Sequence, residues 1–350
     1  MSDEFFVTAF VDRVIAAGRV VTVLVDDRWD EIRWATTRRL RTIPLVLHPS
    51  RRLCTRSAEV AACLSADDDI VYLAADMLAG TYGEAPVAVL HAMSVLASAG
   101  ARCHILSMHA GSVIDDASAR RFLGVLAEEG TISVRDELTT AALAKVCGVH
   151  IGAIPDVGWT HRCPPAHASR PRRLVIVNPP SGAMLAQSPD AEPLPSVLRE
   201  LVSGLLAIAG DADIGVLVHD RRQASGEEDA AFIVLDQLRA RRQAGVELVR
   251  PVDTASMCRM LCAADLIISS RMHLSIHSLV AGRPTVTIGY GPKFRAALGG
   301  VQPEPALLEA NRASLSGLHR AVTFGSRDVA AEVRHRSHAA GDHFVGLGVC

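Results

Sequence analysis

The stretch Ala264-Asp265-Leu266-Ile267-Ile268-Ser269-Ser270-Arg271-Met272-His273-Leu274-Ser275-Ile276-His277 contains the strand-to-helix step on which the reading of this chain turns. Leu266, Ile267 and Ile268 form an unbroken apolar run, as a strand buried on both faces requires. Ser269-Ser270-Arg271 interrupts it, and a helical pattern starts at about Met272. The same step recurs along the chain. Strands are predicted over 20–26, 43–48, 69–75, 102–109, 131–135 and 150–154. A second series covers 173–178, 214–219, 246–252, 265–270 and 284–290. Amphipathic stretches lie between them, at 85–98, 116–129, 137–146, 194–209, 227–243 and 254–263. Apolar strands separated by helices predict parallel sheets with helices on both faces.

The two series are separated by residues 161–171, a proline-rich segment without periodicity that reads as a linker. The fold class is therefore α/β, with two Rossmann-like doubly wound domains facing a cleft. The expected domains are 1–160 and 172–325, and 326–350 forms a C-terminal helix and tail whose helix packs back across the boundary. Ligands of open α/β sheets bind outside the carboxyl ends of the strands, so that cleft is the expected site.

Composition narrows the classes. The chain has 350 residues, 49% hydrophobic and 21% charged, enough to build full-sized cores. Its formal net charge of −2 argues against bulk attraction to nucleic acid or anionic membranes. No apolar run approaches the ~18 residues of a membrane span. The start, Met1-Ser2-Asp3-Glu4, is acidic where a secretory signal is basic, so a cytoplasmic location is expected. The 8 cysteines are scattered and form no CxxC pair. Cys258 and Cys262 share one helix face, but a metal site needs two further ligands and the sequence makes none evident. They are expected to be buried small apolar residues in a reducing compartment, and no metal is expected. Lys145 and Lys293 are the only lysines among 36 basic residues, which makes each a marked choice.

Strand ends hold the candidate chemistry. Arg135 ends the apolar run Ile132-Ser133-Val134, and Asp136 is placed to cap the following helix. Arg135 either binds a ligand at that edge or pairs with nearby carboxylates. His273 falls in a first helical turn beside Ser269, Ser270 and Arg271, a setting suited to an anion. His277, one turn later, reads as a packed helix histidine. In Gly289-Tyr290-Gly291-Pro292-Lys293, a turn after the next strand brings Tyr290 and Lys293 to the same edge. His219 and Asp220, followed by Arg221 and Arg222, end another strand and form either a substrate-contacting loop or a solvated one. His104, His109 and Gly111-Ser112 have weaker claims. GxxxxGKS, a dinucleotide glycine pattern and GxSxG are all absent. The cations Arg135, His273 and Lys293 suit a small, highly charged anion.

The segments ISVRDE, VLVHD, ADLIISSRMH and AGRPTVTIGYGPKF together resemble the polysaccharide pyruvyl transferases, over nearly the whole chain to about Leu298. The resemblance implies a GT-B-like fold and transfer of a pyruvyl group from phosphoenolpyruvate to a saccharide, giving a pyruvate ketal and phosphate. It implies a place in exopolysaccharide and cell-envelope biosynthesis. It also implies Arg135, His273 and Lys293 as catalytic residues, with Ser269, Ser270, Arg271, Tyr290, His219 and Asp220 as substrate-binding residues. Phosphoenolpyruvate is a substrate in this reading, and no cofactor is expected. A lipid-linked acceptor would bring the protein to the inner face of the membrane. Met1-Ser2-Asp3-Glu4 matches the tail of the family's Gly-Asp-Glu motif, without the strand and Gly-rich loop that precede it in the family. Residues 74–80 stand where the family has a glycine-rich segment. Two other readings remain open: a nucleotide-sugar glycosyltransferase of GT-B architecture, and a non-catalytic saccharide-binding relative.

Overall fold

The structure, a computed structural model, describes residues 2–26, 41–45, 69–74, 85–109, 112–148, 151–163, 173–188, 192–220, 225–242, 245–325 and 329–346. The chain divides into two compact units. One comprises 10–157 and 339–350, the other 1–9 and 158–338. The helices α1 (Ser2–Ala16) and the final helix, Ala330–Gly346, each contribute to both.

In the first unit, β1 (Thr22–Asp26) and β2 (Arg41–Leu45) pair in parallel, with Thr22 opposite Arg41. A second, three-stranded parallel sheet holds β3 (Asp69–Leu73), β4 (Arg102–Met108) and β5 (Thr131–Val134) in the order β3-β4-β5. The helices α2 (Ala85–Ser98), α3 (Ala117–Glu129) and α4 (Glu137–Cys147) follow β3, β4 and β5. Leu90, Ile105, Met108, Leu123 and Leu126 fill the core. Asp116 and Asp136 cap α3 and α4 by accepting from the N–H groups of Ala119 and Thr139, each at 2.8 Å.

The strand predicted over 150–154 is not formed by its described residues, 151–154. A single parallel bridge joins Ala153 to Val134, with Ile154 N–H donating to the Val134 carbonyl at 2.8 Å. Pro155 has no N–H to extend the ladder, and the chain turns into a 3₁₀ helix at Val157–Thr160.

The second unit is built on six parallel strands. These are β6 (Leu174–Asn178), β7 (Asp213–Leu217), β8 (Val246–Val249), β9 (Leu266–Ser269), β10 (Thr285–Gly289) and β11 (Leu307–Glu309). Their spatial order is β8-β7-β6-β9-β10-β11, the order of a doubly wound nucleotide-binding sheet. The sequence reading lacked β11, a strand of only 3 residues whose identity depends on pairing with β10. The longer helices are α5 (Leu194–Ala209), α6 (Glu227–Arg239), α7 (Thr254–Ala263), α8 (Met272–Val280), α9 (Pro292–Leu298) and α10 (Leu318–Gly325). Met257 and Leu261 of α7 pack on Leu174, Ile176 and Ile267 of the sheet. Strand order reverses between β6 and β9, so the crevice outside their carboxyl ends opens beside Asn178, Ser269 and Ser270. Among the described residues, no helix is long and apolar enough to cross a membrane.

Candidate functional site

At that reversal point the two central strands are tied end to end. Ser270 N–H donates to the Asn178 carbonyl and Ser270 Oγ to Asn178 Oδ1, each at 3.1 Å. The Asn178 amide donates to Glu227 Oε1 at 2.7 Å. Glu227 stands in the first turn of α6 and is fully buried. Its Oε1 also accepts from the N–H groups of His219 (2.5 Å) and Asp220 (3.0 Å) just beyond β7. Its Oε2 accepts from Arg271 Nε at 2.8 Å, and Arg271 Nη2 donates to Asp220 Oδ2 at 3.1 Å. One buried carboxylate therefore gathers the ends of β6 and β7, the start of α6 and the cap of α8. Burial opposes the charge of Arg271, but Glu227, Tyr290 and Asp220 more than restore it and raise its pKa above the ordinary value. Ser269 Oγ fixes the turn by donating to the Arg271 carbonyl at 2.9 Å and accepting from its N–H at 3.0 Å.

Histidines and a lysine stand on the same strand ends and the helices that follow them. His219 is fully buried, and neither ring nitrogen has a hydrogen-bond partner. Burial, then the neighbouring Arg271 charge, hold its pKa well below the ordinary histidine value, so the ring is neutral. His273 is the second residue of α8 and is buried; the α8 cap at Arg271 makes no side-chain cap bond. The His273 ring centroid is 6.5 Å from that of His277, which in turn meets His161 edge-on at 4.9 Å. His277 is buried within α8, as a packed helix histidine should be. Lys293 sits in the first turn of α9, its Nζ 5.1 Å from the centre of the buried Tyr290 ring.

Arg135 belongs to the other unit, at the end of β5. Its N–H donates to the Met108 carbonyl at 3.1 Å, and Nη1 donates to Asp156 Oδ2 at 3.1 Å. The guanidinium is almost completely buried, and Nη2 has no hydrogen-bond partner. Asp136 receives His109 Nδ1 at 2.7 Å. Burial pushes the Asp136 pKa up, but His109, the Thr139 N–H and Arg135 outweigh it and hold the carboxyl below its ordinary value. Just upstream, the β4–β5 register shifts and Ser107 takes a left-handed conformation, φ +55°. Its Oγ accepts from Val157 N–H at 3.0 Å. A non-glycine residue in that region is held there by its surroundings, and such strain concentrates near functional sites.

The structure thus joins His219, Asp220, Ser269, Ser270 and Arg271 in one neighbourhood, with Tyr290 close enough to act on the Arg271 charge. Arg221, Arg222, Gly111 and residues 75–80 lie outside the described residues. Sequence reasoning missed Glu227, Asn178 and Asp156. The only local hint of Glu227 is its place in the acidic first turn of α6, shared with Glu228 and Asp229.

Cys258 and Cys262 are buried, as the sequence leads one to expect. Two further metal-type ligands do lie beside Cys258: His161 Nε2 is 3.2 Å from its Sγ, and the donor atoms of His161, Cys163 and Cys258 all fall within 4.8 Å of one another. The Cys163 thiol first, and then the His161 ring, stabilise the Cys258 thiolate against burial and hold its pKa below the ordinary thiol value.

Comparison with known proteins agrees with this architecture. A sequence profile described as polysaccharide pyruvyl transferase matches residues 3–292. The chain is similar in fold to a glycosyltransferase from Rickettsia africae ESF-5 (8% identity, TM-score 0.61, covering 99% of this chain and 91% of that one). It is similar to the UDP-GlcNAc 2-epimerase of Methanocaldococcus jannaschii (11%, 0.62, 99% and 97%). The UDP-GlcNAc 2-epimerase of Neisseria meningitidis, bound to UDP-GlcNAc, is a further neighbour (9%, 0.62, 99% and 97%). No curated protein matches the chain. The fold is that of the GT-B glycosyltransferases and epimerases, two Rossmann-like α/β units.

Proposed function

The chain belongs to the polysaccharide pyruvyl transferase family, and from that premise we propose that it transfers the pyruvyl group of phosphoenolpyruvate to a saccharide, forming a cyclic pyruvate ketal. The observation that carries the donor assignment is Arg135, a buried guanidinium with one terminal nitrogen spent on Asp156 and the other without a partner. A buried cation with an unspent donor is matched by an anionic oxygen. Arg135 is assigned the donor carboxylate. Lys293 and His273 are assigned the phosphate. Ser269, Ser270, Arg271, Tyr290, His219 and Asp220 are assigned to shaping the substrate site, with the Arg271 charge locked in place by Glu227 and Asp220.

The chemistry is redox-neutral. A proton delivered to the donor's methylene carbon creates an oxocarbenium-like centre at the adjacent carbon. A saccharide hydroxyl adds there and gives up its proton. The carbon–oxygen bond to phosphate then breaks, and a second hydroxyl closes the ketal, its proton leaving with phosphate or solvent. Cations at the phosphate stabilise the leaving group, and one of His273 and Lys293 acts as the general acid. The balance requires no oxidant or reductant, and no cofactor is included. The acceptor is assigned to cell-envelope polysaccharide synthesis, with a lipid-linked saccharide as the form that would bring the protein to the inner membrane face.

Phosphate release from phosphoenolpyruvate in the presence of saccharide acceptors tests this. Removing a general acid costs roughly 10²–10⁴-fold in rate. Full phosphate release by both His273→Ala and Lys293→Ala would sink the mechanism. Thermal stabilisation by phosphoenolpyruvate should be present in the wild type and lost in Arg135→Ala, at about 2.7 kcal/mol for a ligand at 100 times its Kd.

The nucleotide-sugar glycosyltransferase reading draws on a neighbour of similar fold that holds UDP-GlcNAc. Fold alone does not separate the two. Stabilisation by a nucleotide-diphosphate sugar, with none by phosphoenolpyruvate, would replace the pyruvyl assignment.

A further inference from the structure

We propose that His161, Cys163, Cys258 and Cys262 form a structural site for a soft divalent cation, with zinc as the expected occupant. The inference requires no assumption about the donor or acceptor. His161 and Cys163 lie just after the 3₁₀ turn where the chain enters the second unit, while Cys258 and Cys262 lie on α7. His161 and Cys258 are 97 residues apart in sequence, yet their donor atoms are 3.2 Å apart. The donors of His161, Cys163 and Cys258 converge within 4.8 Å. A tetrahedral zinc site with bonds of about 2.0–2.3 Å places its donors roughly 3.5 Å from one another. The observed convergence is of that size, and a metal would occupy the space between the donors after small side-chain rotations.

Cys262, which falls outside that group of three, is the proposed fourth ligand. It lies one helical turn beyond Cys258, on the same face of α7. It is buried and its thiol interacts with that of Cys163. His161 and Cys258 are also buried, and Cys163 packs against the apolar cluster beneath α7. One imidazole and three thiols in a nearly water-free setting match the closed, four-ligand donor set of structural zinc sites. With all four positions taken by protein, such a metal holds structure and has no open position for substrate. It would pin the entering segment 161–163 to α7, and thereby to the face of the sheet formed by β6, β7 and β9.

The test uses the full chain purified under reducing conditions after growth with added zinc. Elemental analysis after gel filtration should find about one zinc per chain. Cobalt loaded in its place should show the intense sulfur-to-cobalt charge-transfer absorption of thiolate ligation. Cys163→Ser, a change at the least buried ligand, should lower zinc retention at least about tenfold and weaken that band. Zinc removal by a chelator should lower the melting temperature of the wild type and leave that of Cys163→Ser nearly unchanged. A folded, reduced wild type that takes up neither zinc nor cobalt would overturn the proposal. So would a Cys163–Cys258 disulfide in protein made with zinc and reductant, or undiminished cobalt–thiolate absorption in folded Cys163→Ser. If Cys163→Ser does not fold, the wild-type cobalt spectrum with peptide mapping of the protected thiols decides. Protection of Cys163, Cys258 and Cys262 supports the site, and their free alkylation in the metal-loaded protein refutes it.

Discussion

Glu227→Gln is the substitution that most sharply tests how the strand ends of the second unit are held. The change conserves volume, so no cavity confounds it. The amide oxygen can still accept from the N–H groups of His219 and Asp220 and from Asn178. The new NH₂ must then face Arg271 Nε, 2.8 Å away in the native arrangement, donor against donor. Breaking a buried ion pair by neutralising one partner costs about 3–5 kcal/mol. Arg271 keeps Asp220 at 3.1 Å and its side chain is 17% exposed, so the lower end applies, about 3 kcal/mol. For a unit of this size, 1 kcal/mol moves the midpoint by about 2–4 °C, so a fall of roughly 6–12 °C is expected. Thermal melting followed by circular dichroism, with urea titration for the free energy, measures it. Removing Arg271 as well should recover part of the loss, the double variant costing at least about 1 kcal/mol less than the sum of the singles. A Glu227→Gln protein melting within about 2 °C of the wild type, or strictly additive singles, would show that Glu227 does not organise this edge.

Other outcomes follow from the same geometry. His219 and His277 are buried with pKa values well below the ordinary one, His219 chiefly by burial and then by Arg271, His277 chiefly by burial and then by His161. Because the unfolded chain takes up these protons first, stability should fall as pH drops below about 6.5, by about 1.4 kcal/mol per pH unit for each ring. Urea titrations between pH 7 and pH 5 should show that slope reduced by about one proton in His219→Gln, and an unchanged slope would refute the assignment. Asp136 is linked in the same direction, in a more acidic window. Its carboxylate contribution is complete above the unfolded value near 3.8 and is lost as pH falls through the lower folded value, so Asp136→Asn should flatten the acid limb below pH 4. Gly130→Ala would place a Cβ 2.6 Å from the Cys103 carbonyl oxygen and 3.0 Å from that of Leu126, both backbone. The strain should cost about 1–3 kcal/mol in chemical denaturation, and a silent substitution would contradict the packing at the start of β5.

Much of the fold was legible because its signals are local. Apolar runs bounded by turn residues predicted ten of the eleven strands among the described residues, and the Asp136 cap was readable from the acid placed just before a helical pattern. The failures have the opposite character. The stretch 150–154 looked like a strand, but Pro155 and the turn at 157–160 leave it a single bridge. β11 is too short to announce itself without its neighbour. Glu227 is one of three acids in a helix start, and composition does not say which of the three turns inward.

By itself, then, the sequence determined the α/β class, the parallel strands, the strand-end positions of Arg135, His219, Ser269, Ser270, Arg271 and Lys293, and the family those segments resemble. These depend on residues close together in the chain, where periodicity, capping and turn chemistry act. Tertiary structure alone decided the strand order that places Asn178 beside Ser270, the burial of Glu227 against Arg271, the half-spent guanidinium of Arg135, and the meeting of His161 and Cys163 with Cys258. Each of those depends on groups from distant segments meeting in a water-poor interior. There, a charge or donor takes its meaning from its partner, and no local pattern of residues records who that partner is.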